Sequence, residues 1–147
     1  MPLQQPPRDI QGKVEPHDND GIQAEDGIIR RVSDRQVVID DKTGGRRLSS
    51  MAFKASSGAR AGMSVDLQKQ IEEAGHDARI YVTSPRWVGS LRFEAGALRG
   101  EGFKVGFNPL PENPHHGEVW GTFSKPTQKR LRALCQWFVP LDGVSIG

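Results

Sequence analysis

Short runs of β-branched and aromatic residues predict the strands of this chain. The richest run is 78–83, which contains Ile80, Tyr81 and Val82 in succession, and residues of these types are enriched in strands. The same criterion, together with alternation of apolar and polar positions, predicts further strands at 28–32, 36–40, 103–107 and 115–123. Clusters of glycine, proline and small polar residues predict loops at 41–45, 56–62 and 108–114.

Apolar residues at helical spacing predict three helices, at 67–74, 85–99 and 125–139. Asp66 is the expected N-cap of the first helix, because its carboxylate can accept a hydrogen bond from a free N–H group of the first turn. The last helix has the clearest pattern, a stripe formed by Leu131, Leu134, Cys135 and Phe138. Because a strand, a helix and a strand follow one another over 78–107, we expect part of the sheet to be parallel.

One domain accounts for most of the chain, since 147 residues suffice for a single domain of ordinary size. Residues 1–24 contain few apolar groups and have prolines at positions 2, 6 and 7, so we expect a flexible N-terminal arm. Residues 25–141 form the predicted α+β domain, a two-layer mixed β-sheet with about three helices packed mainly on one face. Residues 142–147 are expected to fray.

Composition excludes several kinds of protein. No run of apolar residues approaches the roughly 18 that a membrane helix needs, and the first residues lack the apolar segment of a secretory signal. We therefore expect a cytoplasmic protein without membrane contact. A single cysteine, Cys135, excludes an intramolecular disulfide and a zinc site built from cysteines. The glycine-rich segments 44–45 and 96–102 do not match nucleotide-binding motifs, so we expect no cofactor. No cluster of residues with metal-ligand spacing is evident either, so we expect no metal.

Two arginine pairs point to an anionic partner. The 20 Lys and Arg against 18 Asp and Glu give a net charge of +2, which is too small to indicate nucleic-acid binding by itself. The pairs Arg30-Arg31 and Arg46-Arg47 nevertheless concentrate guanidinium groups, whose planar fork suits carboxylates and phosphates. The hydroxyl groups of Ser49 and Ser50, which follow the second pair, are candidates for binding the same anion.

The start of the last predicted helix is also basic. Lys125, Lys129, Arg130 and Arg132 lie toward its N-terminal end, where positive charge opposes the helix dipole. An anion near this end would stabilise the helix, and nucleic acid is one candidate for that anion.

Adjacent histidines, His115 and His116, are the candidates for catalysis. They lie between the proline-rich loop 108–114 and the strand that follows it, and loops often carry functional groups. Histidine can act as a general base or bind a phosphate near neutral pH. Because neighbouring residues of a strand point to opposite faces, we do not expect the pair to chelate one metal ion.

Besides nucleic-acid binding through the basic start of the last helix, two functions remain open from these observations. We expect a non-enzymatic accessory or binding domain that acts through a partner protein, through self-association or through an anionic ligand, since no nucleophile–base pair or phosphate-binding loop is evident. The alternative is a small enzyme acting on a nucleotide or a phosphorylated substrate, with His115 or His116 as the catalytic residue and the arginine pairs as ligands. An arginine on the first strand followed by a Gly-Arg and Ser-Ser segment resembles the NAD-consuming ADP-ribosyltransferase-like toxins over about residues 28–53. The resemblance implies this enzymatic alternative, although the downstream catalytic acid of that family is not identifiable here.

Overall fold

The computed structural model describes residues 2–56 and 61–147 and has an α+β fold with two sheets. The larger sheet is antiparallel throughout, in the order β6-β7-β4-β1-β5-β8. Its strands are β1 (Gly27–Val32), β4 (Met63–Leu67), β5 (Gly89–Glu94), β6 (Lys104–Phe107), β7 (His116–Trp120) and β8 (Gln136–Val139). The smaller sheet is mixed, because β3 pairs antiparallel with β2 and parallel with β9. Its strands are β2 (Val37–Ile39), β3 (Arg46–Leu48) and β9 (Val144–Ser145).

Four α-helices and two short 3-10 turns complete the described part of the chain. The helices are α1 (Gln68–Glu73), α2 (Ala78–Tyr81), α3 (Ala95–Gly100) and α4 (Lys125–Leu134), and the 3-10 turns are Asp34–Gln36 and Ser50–Phe53. Among the residues described, no helix is long and apolar enough to cross a membrane. The predicted loop 56–62 includes residues 57–60, which lie outside the described residues.

The larger sheet has a hydrophobic cluster on each face, because its strands alternate their side chains between the two faces. The larger cluster contains Ile28 of β1 together with Leu98 of α3 and Leu131 of α4. The smaller cluster contains Ile29 of β1 with Ile71 of α1 and other side chains from α2 and β8. Helices α3 and α4 therefore belong to one face, and α1 and α2 to the other.

The predicted strand at 78–83 is wrong, because residues Ala78–Tyr81 form the helix α2. The carboxylate of Asp77 accepts a hydrogen bond from the N–H of Ile80 at 3.2 Å and caps the helix. One face of this short helix is buried through Ala78, whereas Ile80 is exposed. Capping and one-sided burial thus outweigh the strand preference of the side chains, as tertiary context commonly does.

The predicted helix at 85–99 is wrong over most of its length. Residues Gly89–Glu94 form β5, which pairs with β1 along six residues, and the helix α3 begins at Ala95. Leu91 and Phe93 are two residues apart, so they also fit a strand, and both are buried in the larger cluster. The predicted parallel crossover over 78–107 is consequently wrong as well.

The last predicted helix is too long, since α4 ends at Leu134 and Gln136–Val139 forms β8 at the edge of the larger sheet. Cys135 has extended backbone angles, φ −93° and ψ 161°, which end the helix. Pairing with β5 satisfies backbone groups of a segment rich in aromatic and β-branched residues. Asp66 is likewise not an N-cap, because it belongs to β4 and its carboxylate binds Arg31.

Both ends of the chain make contacts that composition did not indicate. Leu3 and Ile22, within the predicted arm, are buried in the larger cluster, and the N–H of Asn19 donates to the carbonyl of Val105 at 2.9 Å. At the other end, Val144 is buried and β9 pairs with β3, which differs from the frayed end expected for 142–147. The physical reason is that β3 has an edge that β9 completes. The flexibility of the arm stays a prediction.

Candidate functional site

The structure divides the predicted site residues between two places on the molecule. Arg31 and His116 line a cleft on the face of the larger sheet that carries α1 and α2. Ser50 lines a basic hollow formed by the turn Ser50–Phe53 and α4, and the other predicted residues of that region, Arg46, Arg47 and Ser49, lie on or beside β3. The enzymatic alternative, which joins the histidines to both arginine pairs, therefore draws its residues from separate places and stays a prediction.

Arg30 also contributes to the lining of the cleft, but its guanidinium binds backbone carbonyl groups. Its Nε donates to the carbonyl of Ala52 at 3.0 Å, and its Nη1 donates to that of Ser64 at 3.0 Å. A longer bond of 3.5 Å joins Nη2 to the carbonyl of Lys54. Burial lowers the pKa of Arg30 to about 10. Arg30 thus ties β1 to the turn Ser50–Phe53 and to β4.

The floor of the cleft consists of polar side chains from three adjacent strands. Strand register places Asp66 opposite Ile29 of β1 on one side and opposite His116 of β7 on the other. Because alternate residues share a face, Arg31, Ser64, Asp66 and His116 all lie on the same side of the sheet. Two aromatic side chains and part of the proline-rich loop complete a cavity of about 460 Å³; they are Tyr81, Trp87, Leu110, Glu112 and Asn113. We call this cavity the Asp66 cleft.

A hydrogen-bonded network holds the Asp66 cleft together. The Nε of Arg31 donates to Asp66 Oδ2 at 2.8 Å, and its Nη2 donates to Oδ1 at 3.0 Å, which is the bidentate geometry that arginine favours with a carboxylate. Asn113 Nδ2 donates to the same Oδ1 at 2.7 Å, while Asn113 Oδ1 accepts from the hydroxyl of Tyr81 at 2.5 Å. Burial and the Asp66 carboxylate raise the pKa of Tyr81, and the guanidinium of Arg31 opposes this shift.

His116 lines the Asp66 cleft and binds a backbone carbonyl group through one of its ring nitrogens. Its Nδ1 lies 2.8 Å from the carbonyl oxygen of Asn108. Because a carbonyl oxygen can only accept, Nδ1 carries the proton of this bond. In a neutral ring, Nε2 is then free of a proton and can accept one from a ligand.

His115 packs beside two other rings, that of Tyr81, which also lines the Asp66 cleft, and that of His76. Its ring centroid lies 5.6 Å from that of Tyr81 and 6.1 Å from that of His76. Burial and the neighbouring His76 lower the pKa of His115, and the Asp66 carboxylate opposes this shift. The two adjacent histidines therefore occupy different surroundings. Within residues 2–56 and 61–147, no group of three or more His, Cys, Asp or Glu side chains is arranged to hold a metal ion.

The basic hollow brings together cationic side chains from two distant parts of the sequence. Its volume is about 260 Å³, and its lining residues are Ser50, Lys54, Lys125, Gln128, Lys129 and Arg132. No acidic residue of the described chain lines it or forms an ion pair with its three lysines. The hollow therefore has an uncompensated positive charge.

The guanidinium of Arg47 lies beside the basic hollow, next to that of Arg132, which lines it. Arg47 Nη1 and Arg132 Nη1 both donate to the carbonyl of Leu48, at 3.0 and 2.8 Å. Burial and the charge of Arg47 lower the pKa of Arg132. Arg47 also approaches the carboxylate of Asp40 at 3.9 Å, so its own charge is partly balanced.

The remaining predicted ligands of this region have local roles. The Ser49 hydroxyl accepts from the N–H of Met51 at 3.3 Å and caps the turn Ser50–Phe53. The backbone carbonyl of Arg46 accepts from the hydroxyl of Ser145 at 3.4 Å. Of the Arg46, Arg47, Ser49 and Ser50 group, only Ser50 lines the basic hollow.

Several residues of both places are not predicted from the sequence. The sequence predicts Asp66 as a helix cap and Tyr81 as part of a strand, so it does not predict that they meet Asn113. One signal is present in the sequence: Asp66 lies between two apolar residues, Val65 and Leu67, and a carboxylate that is buried with such neighbours requires a partner.

Comparisons with protein-family models, with curated proteins and with solved structures give no match for this chain.

Proposed function

We propose that this chain is a non-enzymatic binding domain whose basic hollow holds an anionic group of its partner. The observation that carries the proposal is the gathering of Lys54, Lys125, Lys129 and Arg132 around one concavity with no acidic residue in its lining. Like charges brought together repel one another, and an anion removes this repulsion on binding. The two lysines of α4 also lie in its first turns, where an anion is favoured by the helix dipole.

The chemistry of the hollow fits a phosphate or a carboxylate group. Lysine binds phosphate as a point charge, and the hydroxyl of Ser50 can add a hydrogen bond. The three lysines are exposed, so the anion can approach from solvent. A phosphorylated molecule and an acidic segment of a partner protein share this chemistry, and the test below separates them.

The proposal is tested by charge reversal at the hollow. We expect the protein to bind at least one of three probes at low salt: inorganic pyrophosphate, a poly-glutamate peptide or a single-stranded oligonucleotide. The variant Lys54→Glu/Lys129→Glu should weaken that binding by about tenfold or more, measured by calorimetry. The matched control is Lys42→Glu/Lys69→Glu, which makes the same change of net charge at two exposed lysines outside the hollow. Binding of no probe, or an equal loss in the control, would refute the proposal.

A further inference from the structure

We infer that the Asp66 cleft is a second binding site, which takes an uncharged planar heteroaromatic ring of the nucleobase type. The charges of its lining are balanced before any ligand arrives. Arg31 is neutralised by its two bonds to Asp66, and the guanidinium of Arg30 is occupied by backbone carbonyl groups. The remaining charged residue of the lining, Glu112, is acidic. A free phosphate or carboxylate therefore meets no unpaired cation among the residues that line this cleft, in contrast to the basic hollow.

The polar groups that remain available offer both donors and acceptors. Arg31 Nη1 and Trp87 Nε1 are donors without a hydrogen-bond partner among the residues described, and the hydroxyl of Ser64 can donate or accept. In the neutral ring of His116, Nε2 is an acceptor, because the bond to the carbonyl of Asn108 places the proton on Nδ1. The edge of a nucleobase presents donors and acceptors side by side, so this mixture is complementary to it, whereas an apolar ring would leave these groups unpaired.

Trp87 supplies the surface on which such a ring can stack. The guanidinium of Arg86 lies 5.1 Å from the centroid of the Trp87 ring and covers part of it, while Trp87 is half-buried and lines the cleft. Stacking of a base on an aromatic side chain contributes about 1–3 kcal/mol. The volume of about 460 Å³ is within the range of small-molecule pockets, about 300–1,000 Å³.

The floor of the Asp66 cleft is also pre-organised, so a ligand can bind without a rearrangement of these side chains. Asp66 is 3% exposed and both of its oxygens already accept hydrogen bonds, so Arg31 and Asn113 are fixed before a ligand enters. Tyr81 is held by its hydroxyl to Asn113, with the guanidinium of Arg31 5.9 Å from its ring centroid. Less side-chain entropy is lost when the partners of a ligand are held in this way.

Titration with neutral nucleosides tests the inference. We expect at least one of adenosine, guanosine, cytidine and uridine to bind, and chemical-shift changes in the NMR spectrum of the intact chain measure this binding. Ribose alone should not bind. Trp87→Leu should weaken the binding by about tenfold, the loss of one stacking contact. Trp137→Leu is the matched control, because it removes another half-buried tryptophan that does not line the cleft. Ser64→Ala, a small change at the floor, should weaken binding while preserving the fold.

Three outcomes would overturn the inference: no binding of any nucleoside at millimolar concentration, equal binding of ribose, or displacement of the nucleoside by inorganic phosphate. Nucleoside binding at the Asp66 cleft should not depend on the basic hollow. Lys54→Glu/Lys129→Glu should leave nucleoside binding unchanged, so failure of one site is distinguishable from failure of the other.

Discussion

Arg30 and Arg31 are adjacent in the sequence and have different surroundings in the structure. Alternation along β1 places them on opposite faces of the larger sheet. Arg31 binds a buried carboxylate within the Asp66 cleft, whereas Arg30 binds backbone carbonyl groups of Ala52 and Ser64 on the other face. The identity of the residue therefore predicts an affinity for oxygen, and its position in the strand decides which oxygen it binds.

Replacing Arg30 should destabilise the fold. Arg30→Ala leaves the carbonyl groups of Ala52 and Ser64 without these donors, and loss of a buried network of this kind costs about 2–4 kcal/mol. The free energy of unfolding in urea measures the effect. Arg35→Ala, at an exposed arginine in the turn Asp34–Gln36, is the control and should change it by less than about 0.5 kcal/mol. Equal effects of the two substitutions would show that the Arg30 bonds do not contribute.

At the scale of elements, local patterns predicted strands where β-branched and aromatic residues cluster or where apolar and polar positions alternate. Strands β1, β6 and β7 lie within the predicted segments 28–32, 103–107 and 115–123, apart from one residue at the start of β1. The segment 89–94 fits both a helix and a strand by its apolar spacing, and only pairing with β1 decides between them. The end of α4 is decided in the same way, since β8 exists by pairing with β5.

The contacts of the N-terminal segment give a second prediction at this scale. Ile22 is 1% exposed within the larger cluster, whereas Ile10 is fully exposed. Ile22→Ala should therefore lower the free energy of unfolding by about 2–4 kcal/mol through the cavity that it leaves. Ile10→Ala makes the same chemical change in the same segment and should have no measurable effect. If both variants match the parent protein in thermal and urea unfolding, the segment is the flexible arm that its composition predicts.

At the scale of the whole molecule, the larger sheet separates the two proposed sites. The turn Ser50–Phe53 and α4, which form the basic hollow, pack through Phe53 and Leu131 into the larger cluster. The Asp66 cleft lies on the opposite face, which carries Ile29 and the smaller cluster. Arg30 links the two sites through the backbone carbonyl groups of Lys54 and Ser64. Because side-chain substitution leaves these carbonyl groups in place, substitutions at one site should leave binding at the other unchanged.

Electrostatics around His115 predict a dependence of stability on pH. Its pKa is lowered in the folded protein by burial and by His76, so the unfolded chain binds a proton more readily than the folded chain. Stability is therefore unaffected by this group above pH 6.5, the ordinary pKa, and decreases as the pH falls from there through the lowered pKa. His115→Gln should reduce the loss of Tm between neutral and mildly acidic pH, measured by thermal unfolding at constant salt.

His76→Gln is the comparison for this prediction. It removes only the charge of the neighbour, and burial is the larger cause of the shift, so its effect should have the same sign and be smaller. An acid sensitivity that is the same in the parent protein and in His115→Gln would contradict the prediction.

The sequence by itself determined the α+β class, the strands β1, β6 and β7 and the basic character of the start of α4, because these depend on neighbouring residues along the chain. Tertiary structure determined whether 78–83, 89–94 and 136–139 form helix or strand, because burial or strand pairing outweighs the local preference there. Tertiary structure also determined which residues come together in each of the two candidate sites. Lys54 meets Lys125 and Lys129 only after folding, and Asp66 meets Arg31 and Asn113 only across strands and a loop. The physical reason is that contacts between distant segments depend on register and burial, which the spacing of residues within one segment does not specify.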